Sequence, residues 1–183
     1  MTTLPAAAMP AKRKAKATKY LDASADISDC GLYRYRLSRR LGMGERTILF
    51  VGLNPSTADT EQDDPTIRRC VSFARLWGFD WLFMGNLNAW RSTDPKRLPK
   101  DPIAAVGAKN QETLKWMAQR AEVVVAAWGG NKLNTYAHTL ACELLALPQT
   151  RCLGQNQDGS PKHPLYLSGC TELRPLTKRE AGR

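Results

Sequence analysis

The sequence predicts an α/β fold in three layers, α/β/α. Its centre is a mostly parallel sheet of four strands, with room for an antiparallel strand at the edge. Three observations predict it. Short apolar runs recur at 47–51, 81–84 and 123–127, each followed within two residues by glycine. Runs of that length suit strands buried on both faces. Amphipathic segments of helical length lie between them. The resulting order, strand and helix in alternation, is that of a parallel sheet covered on both sides.

The elements follow in order. Residues 1–28 are rich in Ala, Lys and Pro and read as a disordered basic tail. Residues 29–176 read as one domain, and 177–183 as a basic C-terminal tail. Over 32–37 apolar and polar residues alternate (Leu-Tyr-Arg-Tyr-Arg-Leu), the pattern of an edge strand. Gly42 and Gly44 mark a turn into the first core strand. Asp64 is a good helix N-cap and Pro65 suits the first helical position. That helix is expected from about Thr66 to Leu76, burying Ile67, Cys70, Val71 and Ala74 and ending at Gly78. After the second strand a polar, proline-punctuated loop fills 86–102. One helix is expected over about 104–120, carrying Val106, Leu114, Met117 and Ala118. The third strand breaks at Gly129-Gly130, and a helix over about 133–147 stops at Pro148. A short fourth strand is expected at 150–153, and one more near 171–176.

The bulk composition, 43% hydrophobic and 24% charged in 183 residues, is that of a globular domain with a sizeable core. The formal charge of +10 is concentrated at the ends. Lys12, Arg13, Lys14, Lys16 and Lys19 have no acid among them, and Arg174, Lys178, Arg179 and Arg183 face only Glu180. Such tails attract polyanions by counterion release, and they equally serve as solubilising segments. The five cysteines form no C-x-x-C pair and read as buried, reduced thiols. Their spacing does not suit an iron–sulfur cluster, and two histidines do not suggest zinc. No metal or other cofactor is expected. No stretch has the length of a signal sequence's apolar region or of a membrane span, so a cytoplasmic location with no membrane partner is expected.

Candidate functional residues fall where strands end. Gly52, Leu53, Asn54, Pro55, Ser56 and Thr57 close or follow the first core strand. Asn86 and Asn88 follow the second, and Trp128, Gly129, Gly130 and Asn131 follow the third. His163 lies in the loop after the fourth, behind Gly154, Gly159 and Pro161. In open α/β sheets ligands bind outside the carboxyl ends of strands, so these groups are expected to converge on one edge. The chain has no G-x-S-x-G elbow, no Walker A loop and no G-x-G-x-x-G fingerprint. Carboxamides with one histidine suit a flat polar heterocycle, because an amide offers a donor and an acceptor together. Asn54 can orient a water without being a strong base, and His163 can donate to charge on a departing base.

Local readings stand beside these. Asn before Pro is a common turn signal, and Ser56 and Thr57 can bond nearby backbone. Asp59 and Asp63 read as solvated loop charges, Arg68 and Arg69 as an exposed helix face, and His138 as structural. Trp128 packs at the core or rim, where it can also stack on a base. Gly129-Gly130 before a helix can bind phosphate, a weak signal on its own.

At these residues a resemblance emerges. Gly52-Leu53-Asn54-Pro55-Ser56 resembles the first motif of the uracil-DNA glycosylase superfamily, in the asparagine form of its mismatch-specific and thymine-DNA branches. Val125-Ala126-Ala127-Trp128-Gly129 resembles that superfamily's strand ending in Trp-Gly, and His163-Pro164-Leu165-Tyr166-Leu167-Ser168 is similar to its late motif. More narrowly, F-V-G-L-N-P-S-T-A-D, D-D-P-T-I-R-R-C, A-W-G and H-P-L-Y-L resemble a bacterial and phage domain family of unknown function across nearly all of 31–176. The glycosylase resemblance implies a hydrolase that cleaves the N-glycosidic bond of a base flipped out of DNA. It implies that Asn54 places the water, that Asn86 or Asn88 reads the base, and that His163 stabilises the leaving base. It further implies that Leu167 wedges into the duplex. Ser56 stands where the superfamily often has an aromatic, and Leu165-Tyr166 where it has Ser-Pro. These departures point away from uracil and toward a modified pyrimidine. A nucleic-acid or nucleotide binding module of the same fold, and an enzyme acting on free nucleosides or nucleotides, are the alternative expectations.

Overall fold

The computed structural model describes residues 19–176. Seven strands form one mixed sheet: β1 (Asp22–Ile27), β2 (Arg34–Arg40), β3 (Thr47–Gly52), β4 (Trp81–Asn86), β5 (Val123–Ala126), β6 (Thr150–Cys152) and β7 (Arg174–Pro175). Four helices accompany it: α1 (Pro65–Leu76), α2 (Pro102–Val106), α3 (Asn110–Arg120) and α4 (Thr135–Leu145). Strand order is β1-β2-β4-β3-β5-β6-β7. β3 is parallel to both β4 and β5, and β5 to β6. β1, β2 and β7 are added antiparallel.

The centre follows from β3, every residue of which is buried. Strand side chains alternate between faces. Ile48 and Phe50 join Ile67, Cys70 and Phe73 of α1 on one side. Leu49 and Val51 join Leu114 and Met117 of α3 and Leu140 and Leu144 of α4 on the other. The handedness of βαβ crossovers accounts for this division. The chain steps from β3 to β4 in one direction through α1. It then returns across β3 to β5 and on to β6 through α3 and α4, so those helices take the opposite face. Such a reversal opens a crevice at the carboxyl ends of the strands.

Several expectations need correction. Among the described residues the sheet has seven strands rather than four. The strand expected at the edge over 32–37 is β2, and it is interior, covered by β1. β1 falls inside the stretch 1–28 expected to be disordered; residues 1–18 and 177–183 lie outside the described residues. Composition missed β1 because its sequence, Asp-Ala-Ser-Ala-Asp-Ile, buries little apolar surface. Its place comes from the backbone ladder and from pairs such as Ser24 Oγ to Ser38 Oγ, 2.7 Å.

The helix expected over 104–120 is two helices, α2 and α3. Gly107 breaks it with φ +82°, and a β-carbon there would stand 2.8 Å from the Tyr33 ring. Only Cys70 and Cys152 are buried; Cys30, Cys142 and Cys170 are exposed, and all five are free thiols. His138 lies on the exposed face of α4. Among the described residues no helix is long and apolar enough to cross a membrane.

Candidate functional site

A cleft of about 680 Å³ opens at the carboxyl ends of the parallel strands. Its walls include Gly52, Leu53, Asn54 and Ser56 after β3, and Asn86 at the end of β4. Trp128 and Gly129 follow β5, and His163 and Leu167 come from the loop after β6. Eleven of the sequence-predicted residues, Gly130 and Asn131 included, therefore share one hollow, while Pro55, Thr57 and Asn88 are not among its walls.

The first wall is held by ladder bonds that continue past the strand ends. Leu87 N–H donates to Gly52 O and Asn88 N–H to Leu53 O, both at 2.9 Å. Pro55 is buried, and its carbonyl accepts from Ser92 N–H at 2.8 Å. The Asn54 amide group donates to Ser92 O at 2.7 Å and to Pro55 O at 3.2 Å. Two carbonyl acceptors fix which end of that carboxamide is nitrogen. The donors of Asn54 are thus spent on backbone, and its Oδ1 keeps its acceptor capacity.

The two asparagines after β4 have different jobs. Asn88 is 1% exposed; its Nδ2 donates to Leu53 O at 3.4 Å and its Oδ1 accepts from Asn134 Nδ2 at 2.9 Å. Asn134 in turn caps α4 through Ala137 N–H, so Asn88 ties two loops together. Asn86 is also 1% exposed but lines the cleft, and its Nδ2 has no hydrogen-bond partner. A β-carbon on Gly52 would fall 2.8 Å from Asn86 Oδ1, so the glycine makes room for this carboxamide. Asn110, at the start of α3, donates to the carbonyls of Asn86 (2.9 Å) and Leu87 (3.1 Å). Sequence reasoning missed Asn110; an asparagine at the start of a helix gives no local sign of reaching a distant strand end.

The opposite wall depends on Gly129, at φ +78°, whose β-carbon position lies 3.6 Å from His163 Cβ. The His163 loop is a tight excursion, closed by Lys162 N–H to Gly154 O and Asn156 N–H to Ser160 O. His163 Nδ1 accepts from Leu165 N–H at 3.3 Å, capping the 3₁₀ turn Pro164–Tyr166. In the neutral ring the proton therefore sits on Nε2. Burial lowers the His163 pKa, and the nearby Asp64 carboxylate opposes that shift. Burial thus favours the neutral imidazole.

Leu167 is half-buried and packs against the α1-side core. Its carbonyl accepts a close hydrogen bond from the Arg69 guanidinium, which also lies 4.8 Å from the Phe73 ring centre. Arg69 is therefore a half-buried strut rather than part of an exposed helix face. Leu165 and Tyr166 are the exposed apolar side chains at this rim, Tyr166 at 84%. Trp128, 4% exposed, belongs to the α3/α4-side core and also contributes to the cleft wall.

The acidic loop also differs from expectation. Asp64 caps α1 through Ile67 N–H at 2.9 Å, as anticipated, and it lines the cleft as well. Asp63 is not a solvated charge. It is ion-paired to Arg39 at 2.9 Å and accepts from Tyr20 Oη and Lys19 Nζ. Asp59 accepts from the backbone of Glu61 and Gln62, both at 2.8 Å, which holds its pKa down.

Arg34 was overlooked as well. It comes from β2, lines the cleft, and is 2% exposed. Its Nη1 donates to Ala58 O at 2.9 Å while its Nε has no partner. Burial draws its pKa down to about 10, so it stays cationic at neutral pH. Among the described residues no group of three or more His, Cys, Asp or Glu comes together as a metal-binding set.

The chain matches no curated protein and no solved structure. A family model described as a protein of unknown function, DUF1643, matches residues 34–165, a span that runs from Arg34 to the rim of the cleft at Leu165. The chain therefore belongs to the DUF1643 family.

Proposed function

We propose that the cleft takes a base extruded from DNA and hydrolyses its N-glycosidic bond, with a modified pyrimidine as the target. The observation that carries this reading is the meeting of Asn54, Asn86 and His163 in one hollow. Their free valences are complementary. Asn54 Oδ1 accepts a hydrogen bond from a water, orienting the oxygen lone pair toward the sugar C1′. Asn86 Nδ2, a buried donor with no protein partner, is satisfied by an acceptor on the base edge. His163 Nε2–H donates to the base as the C1′–N bond breaks and the electron pair leaves with it. The water oxygen bonds to C1′ and releases one proton to solvent, and the departing base, held by the His163 Nε2–H hydrogen bond, takes up one proton from solvent. The departures at Ser56 and Leu165-Tyr166 support a target other than uracil. A cleft of about 680 Å³ accommodates a nucleoside and its substituents.

The test is a panel of oligonucleotides, each carrying one modified pyrimidine, incubated with the full chain and read by alkali cleavage at abasic sites. One or more bases should be released by the native chain and none by Asn54→Ala. Intact glycosidic bonds across the panel would refute the reading. A second reading is a binding module that grips the base without cleaving it. It is favoured by Asn54 being an amide, with no capacity to take a proton from water. Tight binding of a modified oligonucleotide with no base release would select it.

A further inference from the structure

We infer that Arg34 is the anion-binding residue of the cleft and takes a phosphate group of the substrate. The inference rests on the reading that a nucleoside unit enters the cleft, not on which bond is cut.

Arg34 is a buried cation without a matching anion. Among the described residues it forms no ion pair, and its Nε is buried with no hydrogen-bond partner. An uncompensated buried charge is costly, and native chains keep few such groups. The carboxylates that act on it from a distance are Asp64 and Asp59. Both are already engaged by backbone N–H groups, Asp64 by Ile67 and Asp59 by Glu61 and Gln62. The like charges facing it are Arg91 and Arg39, and Arg39 is neutralised by Asp63. Arg34 therefore keeps an unspent charge on the cleft wall.

The N-terminus of α1 adds no site of its own, because Pro65 has no N–H and the Asp64 carboxylate already accepts from Ile67 N–H. One further feature of Arg34 suits an oxyanion. The planar guanidinium fork fits phosphate oxygens in a way a point charge does not. On a nucleoside unit the anionic group is a phosphate. It is either the terminal phosphate of a free nucleotide or the diester beside an extruded base.

The experiment measures affinity of the full chain for deoxycytidine, deoxycytidine 5′-monophosphate and a short single-stranded oligonucleotide containing deoxycytidine, by calorimetry. It is repeated with Arg34→Gln and Arg34→Lys. The phosphate-bearing probes should bind at least about tenfold more tightly than the nucleoside, the scale of hydrogen bonds to a charged group. Arg34→Gln should erase that advantage, and Arg34→Lys should retain part of it. A gain with the monophosphate assigns a terminal phosphate; a gain with the oligonucleotide alone assigns a diester. A purely structural guanidinium would lower the melting temperature on substitution and leave the phosphate preference intact, which would overturn the inference. Equal affinity of the native chain for all three probes overturns it without any variant, should Arg34→Gln not fold. Base release is scored separately. Arg34-dependent phosphate binding with intact glycosidic bonds would leave this inference standing and the hydrolase reading refuted.

Discussion

Asn86 Oδ1 lies 2.8 Å from the point where a β-carbon on Gly52 would stand, and Met84 Cε lies 2.9 Å from it. The end of β3 and the end of β4 thus share a space that only glycine leaves open. Gly52→Ala should push the Asn86 carboxamide aside, and both it and Asn86→Ala should weaken substrate binding about tenfold, the scale of one lost hydrogen bond to a buried donor. The melting temperature should fall modestly, because the obstructing atoms end flexible side chains. Affinity unchanged in both variants would remove Asn86 from recognition.

Asn54 should tolerate neither Ala nor Asp. On the proposed reading Asn54→Ala removes the acceptor for the attacking water, and turnover should disappear with the fold intact. Asn54→Asp keeps an oxygen, but it turns a carboxylate toward the carbonyls of Ser92 and Pro55, which the native amide bonds. The loop should shift and activity fall rather than rise. Single-turnover base release from a modified duplex is the measurement. Full activity in Asn54→Ala, or a faster Asn54→Asp, would contradict the role.

Asn88→Ala should act on stability. It cuts the link from Leu53 to Asn134 and leaves buried partners unsatisfied, a loss of about 1–3 kcal/mol. Urea denaturation reads this directly. Substrate affinity per folded molecule should hold. A loss of affinity at native stability would return Asn88 to the recognition set.

His163 should link the proposed chemistry to pH. His163→Ala should slow base release by about a hundredfold, the effect of losing one preorganised donor. Burial sets its folded pKa below the ordinary 6.5, so the unfolded chain takes up the proton first as pH falls. The stability contribution is therefore complete above about pH 6.5 and lost on acidification below it. Denaturant midpoints at about pH 7 and pH 5.5 should differ in the native chain and converge in His163→Gln. The depressed carboxyls Asp59 and Asp63 titrate below their ordinary 3.8 and do not enter this window. Parallel slopes in both proteins would refute the assignment.

The proposed action on duplex DNA should separate Leu167 from Tyr166. Leu167 packs against the α1-side core, whereas Tyr166 projects from the rim. Tyr166→Ala should reduce action on duplex several-fold more than on single strands. Leu167→Ala should reduce both and lower the melting temperature. A selective duplex loss in Leu167→Ala alone would restore it as the wedge.

Much of the scaffold was legible because its signals are local. The run Thr47–Gly52 reads as a buried strand because every residue but its ends is apolar. Asp64-Pro65 reads as a helix start because capping is decided within one turn. The break at Gly107 was illegible because the Tyr33 ring that enforces it is distant in the chain. Asp63 looked like a loop charge because its partners Tyr20 and Arg39 come from outside that loop.

For the site, the sequence by itself determined which residue types stand at strand ends, and so that polar groups would gather at one edge. Periodicity and turn chemistry suffice for that. Only the tertiary structure decided that Asn86 faces the cleft while Asn88 braces a loop, and that Arg34 enters the same hollow from an antiparallel strand. The physical reason is that a polar side chain's role depends on which donors and acceptors surround it after folding, and those arrive from elements far apart in the chain.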